Sequence, residues 1–304
     1  MRKLHSRSFA WPVVTVLLAA LLALLAAGAC VGETEEREDS FAVDSELTEQ
    51  RDGSFAVEDA PRLVVDNDNG SVTVVAGVAG DISVRATLRR PSRIDYEVVQ
   101  EGNTVTVTAD VHDGVALLDW SRSPGATLTI TVPPDTLVDI STSNGGVDVT
   151  GIRQSARLNA SNGTIEVKDF EGDLVAETSN GAIELTDYTG SAEMDTSNGR
   201  IDLKSVFGTF NARASNGRIL FAGEFAPGGT NAFNTSNGGV TVAITGEPSV
   251  DIDARTSNGS VSTDFPILTQ WTGSGDRLQG TIGDGDATLI IRTSNGRIEI
   301  EDPQ

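Results

Sequence analysis

Through the middle of this chain short runs of alternating hydrophobic and polar residues are punctuated by one tripeptide, Ser-Asn-Gly, at a nearly constant interval. Its asparagines fall at Asn144, Asn162, Asn180, Asn198 and Asn216, each 18 residues after the last, then at Asn237 and Asn258 after steps of 21, and finally at Asn295. The glycines that follow are Gly145, Gly163, Gly181, Gly199, Gly217, Gly238, Gly259 and Gly296. A unit this short cannot bury its own apolar face. Neighbouring copies must stack to share a core, which makes the repeated region a solenoid.

Aligning the units on their asparagines shows which positions face inward. Three residues on stand Val147, Ile165, Ile183 and Ile201, and five residues on Val149, Val167, Leu185 and Leu203, with polar residues between. That period of two predicts a half-buried strand. Ile152, Phe170, Tyr188 and Val206 follow at plus eight, and Gln154, Gly172, Gly190 and Gly208 at plus ten mark a second corner. A second alternating run then leads to the next Ser-Asn-Gly. Two strands and two corners per unit predict two facing sheets about 10 Å apart, with coils rising about 4.8 Å each. The fold class expected is all-β, a single-stranded right-handed β-solenoid with coils of 18 to 21 residues, capped by hairpins at both ends; the hand follows from the crossover rule for parallel strands. Aromatic residues make up only 5% of the chain, which suits a narrow bore. Asn-Gly adopts positive φ at little cost, so the column is expected to form a corner, its side-chain amides bonded along the axis as a ladder. The functional alternative is a row of outward-pointing, ligand-binding amides.

Asp66-Asn67-Asp68-Asn69-Gly70, followed by Val72 and Val74, reads as a degenerate first coil. Between it and Asn144 lie longer alternating segments expected to cap the stack, because an open terminal coil would expose unpaired strand edges. Between Asn258 and Asn295, 37 residues hold Trp271 and Gly280-Thr-Ile-Gly-Asp-Gly285, close to two coil lengths with one tripeptide missing. A bulge or cap hairpin is expected there. No helix-period pattern of useful length follows residue 30.

The start of the chain changes the picture. Arg2, Lys3 and Arg7 precede an apolar run from Val13 to Ala27 and the small residues Ala27-Gly28-Ala29 before Cys30, the features of an export signal. Cys30 is the one cysteine, so no internal disulfide can form, and lipid attachment at Cys30 is the leading reading. Ala27 stands where lipoprotein signals usually carry leucine, so ordinary cleavage also fits; Trp11 to Ala29, 19 mostly apolar residues, is in addition long enough to span a bilayer uncleaved. Each reading places the bulk outside the cytoplasm, in the cell envelope, with the outer membrane or cell surface the expectation in a two-membrane host. The organisation expected is a signal peptide over 1–29, an acidic flexible tether over 30–62 and a solenoid over 63–302. The last divides into cap strands 63–135, regular coils 136–262, and a final coil and cap 263–302.

Charge and chemistry then narrow the function. The chain carries a net charge of −22; losing residues 1–29 removes three basic residues and no acidic ones, leaving 19 basic against 44 acidic and a net of −25. Nucleic acid is excluded as a partner on that ground. After the leader one histidine remains, His112, so the common zinc sites and Cys-His pairs are excluded, and no nucleophile elbow or phosphate-binding loop occurs. No cofactor is implied. Carboxylates are the one abundant reactive group. Four residues after the asparagine, Asp148, Glu166, Glu184 and Asp202 form an outward column, a weak candidate for a cation but better read as a solvated acidic face softened by Lys168 and Lys204. Arg200, Arg218 and Arg297 at plus two could grip an anionic glycan, yet sit beside carboxylates that would pair with them.

The repeated Ser-Asn-Gly-x-Ile-x-Ile/Val/Leu unit and the stretch Leu278-Gln-Gly-Thr-Ile-Gly-Asp-Gly-Asp-Ala-Thr-Leu-Ile-Ile-Arg-Thr-Ser-Asn-Gly-Arg-Ile-Glu-Ile300 resemble the bacterial β-strand-repeat proteins grouped as domain of unknown function 4097, or putative adhesins. The resemblance covers roughly Leu63 to Glu301 and implies a β-solenoid in the envelope, with no catalytic residues to carry over. The function expected is therefore non-enzymatic: a membrane-tethered envelope protein whose repetitive face meets a glycan, another envelope protein or a second copy. The alternatives are a structural, self-assembling protein or a periplasmic one associated with envelope stress. A polysaccharide-acting enzyme would need acid and base groups converging in a cleft, and the sequence offers no such set. Nothing in the repeats sets an oligomeric state.

Overall fold

The computed structural model describes residues 48–78, 80–112, 123–272 and 275–303; the leader, Cys30 and most of the expected tether lie outside the described residues. Apart from one short 3₁₀ turn at Pro91–Arg93, the described elements are strands. Before the regular repeats come β1 (Thr48–Ala56), β2 (Arg62–Asn69), β3 (Val72–Ala76), β4 (Asp81–Arg89), β5 (Ile94–Glu101), β6 (Thr104–Val111) and β7 (Gly125–Val132). The repeats supply β8 (Leu137–Asn144), β9 (Val147–Thr150), β10 (Ala156–Asn162), β11 (Ile165–Glu171), β12 (Leu174–Thr178), β13 (Ile183–Thr196), β14 (Ile201–Asn216), β15 (Ile219–Phe225), β16 (Thr230–Asn237), β17 (Val240–Ile244), β18 (Val250–Asn258) and β19 (Val261–Thr263). The rest is β20 (Leu268–Thr272), β21 (Arg277–Ile282), β22 (Ala287–Asn295) and β23 (Ile298–Glu301). Among the described residues no helix is long and apolar enough to cross a membrane.

The repeats stack in parallel register. Ile165 lies beside Val147 on one side and Ile183 on the other, and Ile183 beside Ile201. Before the tripeptide, Leu158 lies beside Ile140 and Ala176, and Ala176 beside Met194. Two ladders result, one ending at the asparagines and one starting after them. β13 and β14 run continuously round the second corner, which joins the ladders into one solenoid-like sheet. Buried residues of both ladders meet in a single core, where the plus-three, plus-five and plus-eight residues are all solvent-inaccessible or nearly so. Aromatic residues are few but gathered: Phe170 stacks on Tyr188 at 5.6 Å, and contacts continue through Phe210 and Phe221 to Phe225 and Phe233 along the interior.

The second corner is built by a break in alternation. Positions plus three and plus five face in, so plus seven should too, yet Asp169, Asp187 and Ser205 point out and the aromatic or valine after them faces in. These three residues adopt left-handed φ values of 47°, 54° and 54°. One left-handed residue of this kind is a bulge that reverses the strand's parity and turns the chain.

The ends depart from a simple sequential stack. β2 and β3 do form a first coil, with Asn69 aligned on Asn144, but β6 and β7 pair outside it, so the first coil lies second in the stack. At the other end β22 pairs with both β16 and β18, and β23 with both β17 and β19. The coil of Asn295 is thus inserted between those of Asn237 and Asn258, where sequence order would place it last. The spacing between Asn258 and Asn295 therefore reflects an excursion, in which β21 and β20 fold antiparallel onto β18 as a hairpin. Antiparallel strands also cover the opposite end, β5 as a hairpin with β6, and β4 on β7. The expected tether ends earlier than residue 62: Thr48–Ala56 form β1, paired antiparallel with β4 over nine residues, because Phe55 has the edge of β4 and the core beneath it to pack against.

Candidate functional site

The corner built by Ser-Asn-Gly is a continuous polar edge. Asn162 Nδ2 donates to Asn144 Oδ1 at 3.1 Å, and the same bond recurs from Asn180 to Asn162, Asn198 to Asn180, Asn216 to Asn198, Asn237 to Asn216, Asn295 to Asn237 and Asn258 to Asn295 at 2.9–3.0 Å. Each interior amide spends one donor and its carbonyl within the row. The side chains are exposed, and Asn162 Nδ2 also donates to the backbone oxygen of Ser143 at 3.3 Å. The column is therefore a hydrogen-bonded ladder along the stack, built from exposed side chains.

The glycines differ from expectation in their reason. Positive φ was the argument for them, yet of this column only Gly70 of the first coil has one, at 126°. The others are required by close approach: a Cβ on Gly199 would fall on the carbonyl oxygen of Gly181, and one on Gly181 on that of Gly163. The corner backbones stack directly on one another, and only hydrogen fits between them. Inside the corner Thr178, Thr196, Thr235, Thr256 and Thr293 donate their hydroxyls to these stacked glycine carbonyls at 2.8–3.1 Å.

The acidic column is assembled as the spacing predicted. Glu166 sits between Asp148 and Glu184, and Glu184 beside Asp202, where Leu220 ends the run. Burial, then a hydrogen bond that its protonated form donates to Glu166 and the Glu166 charge, hold the Asp148 carboxyl above the ordinary range. Lys168, at 2.5 Å, holds Glu166 below it. Arg200 binds Glu184 and, through Nε, Asp202 at 2.7 Å, so the buried Asp202 carboxylate is neutralised by a neighbouring guanidinium. Arg297 pairs with Glu299 at 3.0 Å. Among the described residues no three acidic, histidine or cysteine side chains are grouped to hold a metal ion. His112 is half-exposed against Asp95 at 3.0 Å, at the end of β6.

A feature absent from the sequence reading lies upstream of the corner. Three residues before each asparagine, outward side chains align in stack order as Ser141, Asn159, Glu177, Asp195, Arg213, Asn234, Arg292 and Arg255. A groove of about 450 Å³ follows the first half and one of about 460 Å³ the second, both floored by the serines of the tripeptides. Aligning the repeats backwards as well as forwards from the asparagine would have exposed this row, though not its true order, which depends on the inserted coil.

A family model described as Toastrack DUF4097 matches residues 61–301 of the chain. The chain belongs to the Toastrack DUF4097 family. Its matched span takes in both ladders, both end hairpins except β1, and the whole asparagine row, so the Toastrack unit and the solenoid-like body coincide. Solved structures of low identity align over most of its length. A putative adhesin from Bacteroides fragilis NCTC 9343 is 14% identical, with 83% of this chain and 97% of that one covered and a TM-score of 0.41. A putative adhesin from Parabacteroides distasonis ATCC 8503 is 11% identical, with 83% and 97% covered and a TM-score of 0.37. A putative lipid binding protein from the same Parabacteroides strain is 10% identical, with 84% and 97% covered and a TM-score of 0.30. Comparison with curated proteins finds no match.

Proposed function

We propose that this Toastrack protein is a non-enzymatic binding scaffold of the cell envelope, tethered to a membrane through lipid on Cys30 and presenting the corner face of a right-handed solenoid of 18- to 21-residue coils to a glycan or protein partner. The observation that carries this reading is the corner itself. Amides and hydroxyls in fixed register along eight repeat corners form a long polar surface held rigid by its own hydrogen bonds. Repetitive surfaces of this kind suit repetitive ligands, and their contacts need no side chain to reorder on binding. The family name and the solved structures assign no reaction to the chain.

Antiparallel strands over both ends of the stack weigh against the self-assembling alternative, since coil-on-coil growth needs the parallel edges of the end coils to be bare. The anchor and its side of the membrane are tested by protease shaving of intact cells and membrane fractionation, comparing the natural chain with Cys30→Ala. Membrane-bound, protease-accessible protein that Cys30→Ala releases is the expected result. Protein protected from external protease would overturn the surface reading, and membrane retention of Cys30→Ala would overturn the lipid.

A further inference from the structure

The row three residues before the corner is charged unevenly. Its first half carries Glu177 and Asp195, and its second half Arg213, Asn234, Arg292 and Arg255, after which the register continues to Arg277 on the cap strand β21. Arg292, Arg255 and Arg277 thus occupy three adjacent strands about 5 Å apart on one face. Like charges set directly opposite destabilise a sheet. In a chain of net charge −22 with 22 basic residues in all, such a gathering is not the outcome of composition.

The surrounding acids neutralise the row only in part. Asp253 accepts from Arg292 Nη2 at 2.6 Å and lies 3.8 Å from Arg277 Nε, and Arg292 Nη1 donates to the backbone oxygens of Asp253 and Ile291 at 2.6 and 3.0 Å. Arg213 approaches Glu193 no closer than 3.7 Å and has Asp195 beside it across the strands. Arg255 is exposed and makes no ion pair or side-chain hydrogen bond among the described residues. The groove of about 460 Å³ that Arg213, Arg255 and Arg292 line is also lined by Ser215, Ser236, Ser257 and Asn234, with Asp195 at its acidic end. Three cationic forks thus share one channel with neutral hydroxyls and an amide, against a single carboxylate.

That combination selects the chemistry of the ligand. Guanidinium groups recognise planar carboxylates in two-pronged fashion, and hydroxyl and amide groups recognise sugar hydroxyls. The net charge of −22 disfavours a polyanion over the surface at large, so a local excess of guanidinium groups is where one can dock. We propose that the arginine row is the docking site for an acidic, uronate-type polysaccharide laid along the stack, its carboxylates on Arg213 and Arg255 and its hydroxyls against the serines, with Arg292 adding positive charge between them. This rests on the binding-scaffold reading and names its ligand class and its location.

The test is calorimetric titration of the full chain in detergent with polygalacturonate and with neutral dextran. Three proteins are compared: the natural chain, Arg213→Gln/Arg255→Gln, and Arg51→Gln/Arg85→Gln on β1 and β4 as a charge-matched control, each checked for unchanged thermal unfolding. Polygalacturonate should bind the natural chain and the control alike, lose tenfold or more in affinity in the row variant, and weaken as salt rises from roughly 50 to 300 mM; dextran should not bind. Equal binding of polygalacturonate by the row variant, or of dextran by the natural chain, overturns the arginine site while leaving a glycan-binding scaffold standing. No polysaccharide binding, with a dimer in light scattering that the row variant dissociates, overturns it in favour of a second copy, whose acidic half would meet this basic one. No binding and no dimer overturns it outright.

Discussion

Gly199 and Gly146 sit within the same corner system, yet they should respond oppositely to a methyl group. At Gly199 a Cβ would coincide with the Gly181 carbonyl, so Gly199→Ala must push two stacked backbones apart and should cost about 2–3 kcal/mol. At Gly146 the nearest atom would be Thr164 O at 3.4 Å, an ordinary contact, so Gly146→Ala should fall within about 0.5 kcal/mol. Urea unfolding of both variants measures the difference. Asp148 gives a second residue-scale prediction. Its folded pKa lies above the unfolded one, so its proton supports the fold below the unfolded pKa, and that support disappears as pH rises through the folded value. At neutral pH the ionised group is a burden, through burial and Glu166. Asp148→Asn should therefore raise the melting temperature at pH 7 and leave it nearly unchanged near pH 3. At this scale the inward columns were legible because alternation is local, and the stacked acids were legible because equal spacing fixes equal register. The glycines were legible as a column but not in their cause, since nothing in Ser-Asn-Gly tells a left-handed turn from a backbone pressed against its neighbour.

A strand that carries one asparagine of the ladder is held differently in mid-stack and at its end. Asn180 both donates to Asn162 and accepts from Asn198, whereas Asn258 donates to Asn295 and no further coil lies beyond it. Asn180→Ala should cost about 1 kcal/mol and Asn258→Ala about half as much, the bonds being exposed and each net contribution small. A thermal-unfolding comparison that found the two equal would show the ladder to be a consequence of stacking and not a contributor to it. The second corner is the element least visible beforehand. Plus-ten glycine was recognised, but the left-handed Asp169, Asp187 and Ser205 were not, because their parity reversal shows only when plus-eight is known to face inward. The arginine row was hidden for a related reason. Each of its members is one polar residue on one strand's outer face, and only the pairing of β16 with β22 and β22 with β18 puts them side by side.

Across the whole molecule, the inserted coil governs integrity. A chain stopped after Ile282 would lose β22 and β23, leaving β16 and β17 with one bare edge and β18, β19 and the cap hairpin with no stack to join. Such a chain should unfold in two steps or aggregate, and pulse proteolysis should cut residues 250–282 first; a solenoid stacked in sequence order would merely be shortened. Architecture at this scale was legible as far as the repeats are distinct. It failed at the ends because every Ser-Asn-Gly coil offers its neighbour the same surface, so the order in which Asn237, Asn258 and Asn295 stack is decided by the cap segments and not by the motif.

Insertion also sets a sequence of events in time. A chain that folds from its N-terminal end can add coils as far as Asn237, but the segment of Asn258 arrives before the place beside it exists. It can pair with β21 of its own hairpin, but it must wait for residues 287–301 before it can join the stack. The coil of Asn295 is in that sense a keystone: the arch on either side of it is cut earlier, and none of it bears load until the last stone is set.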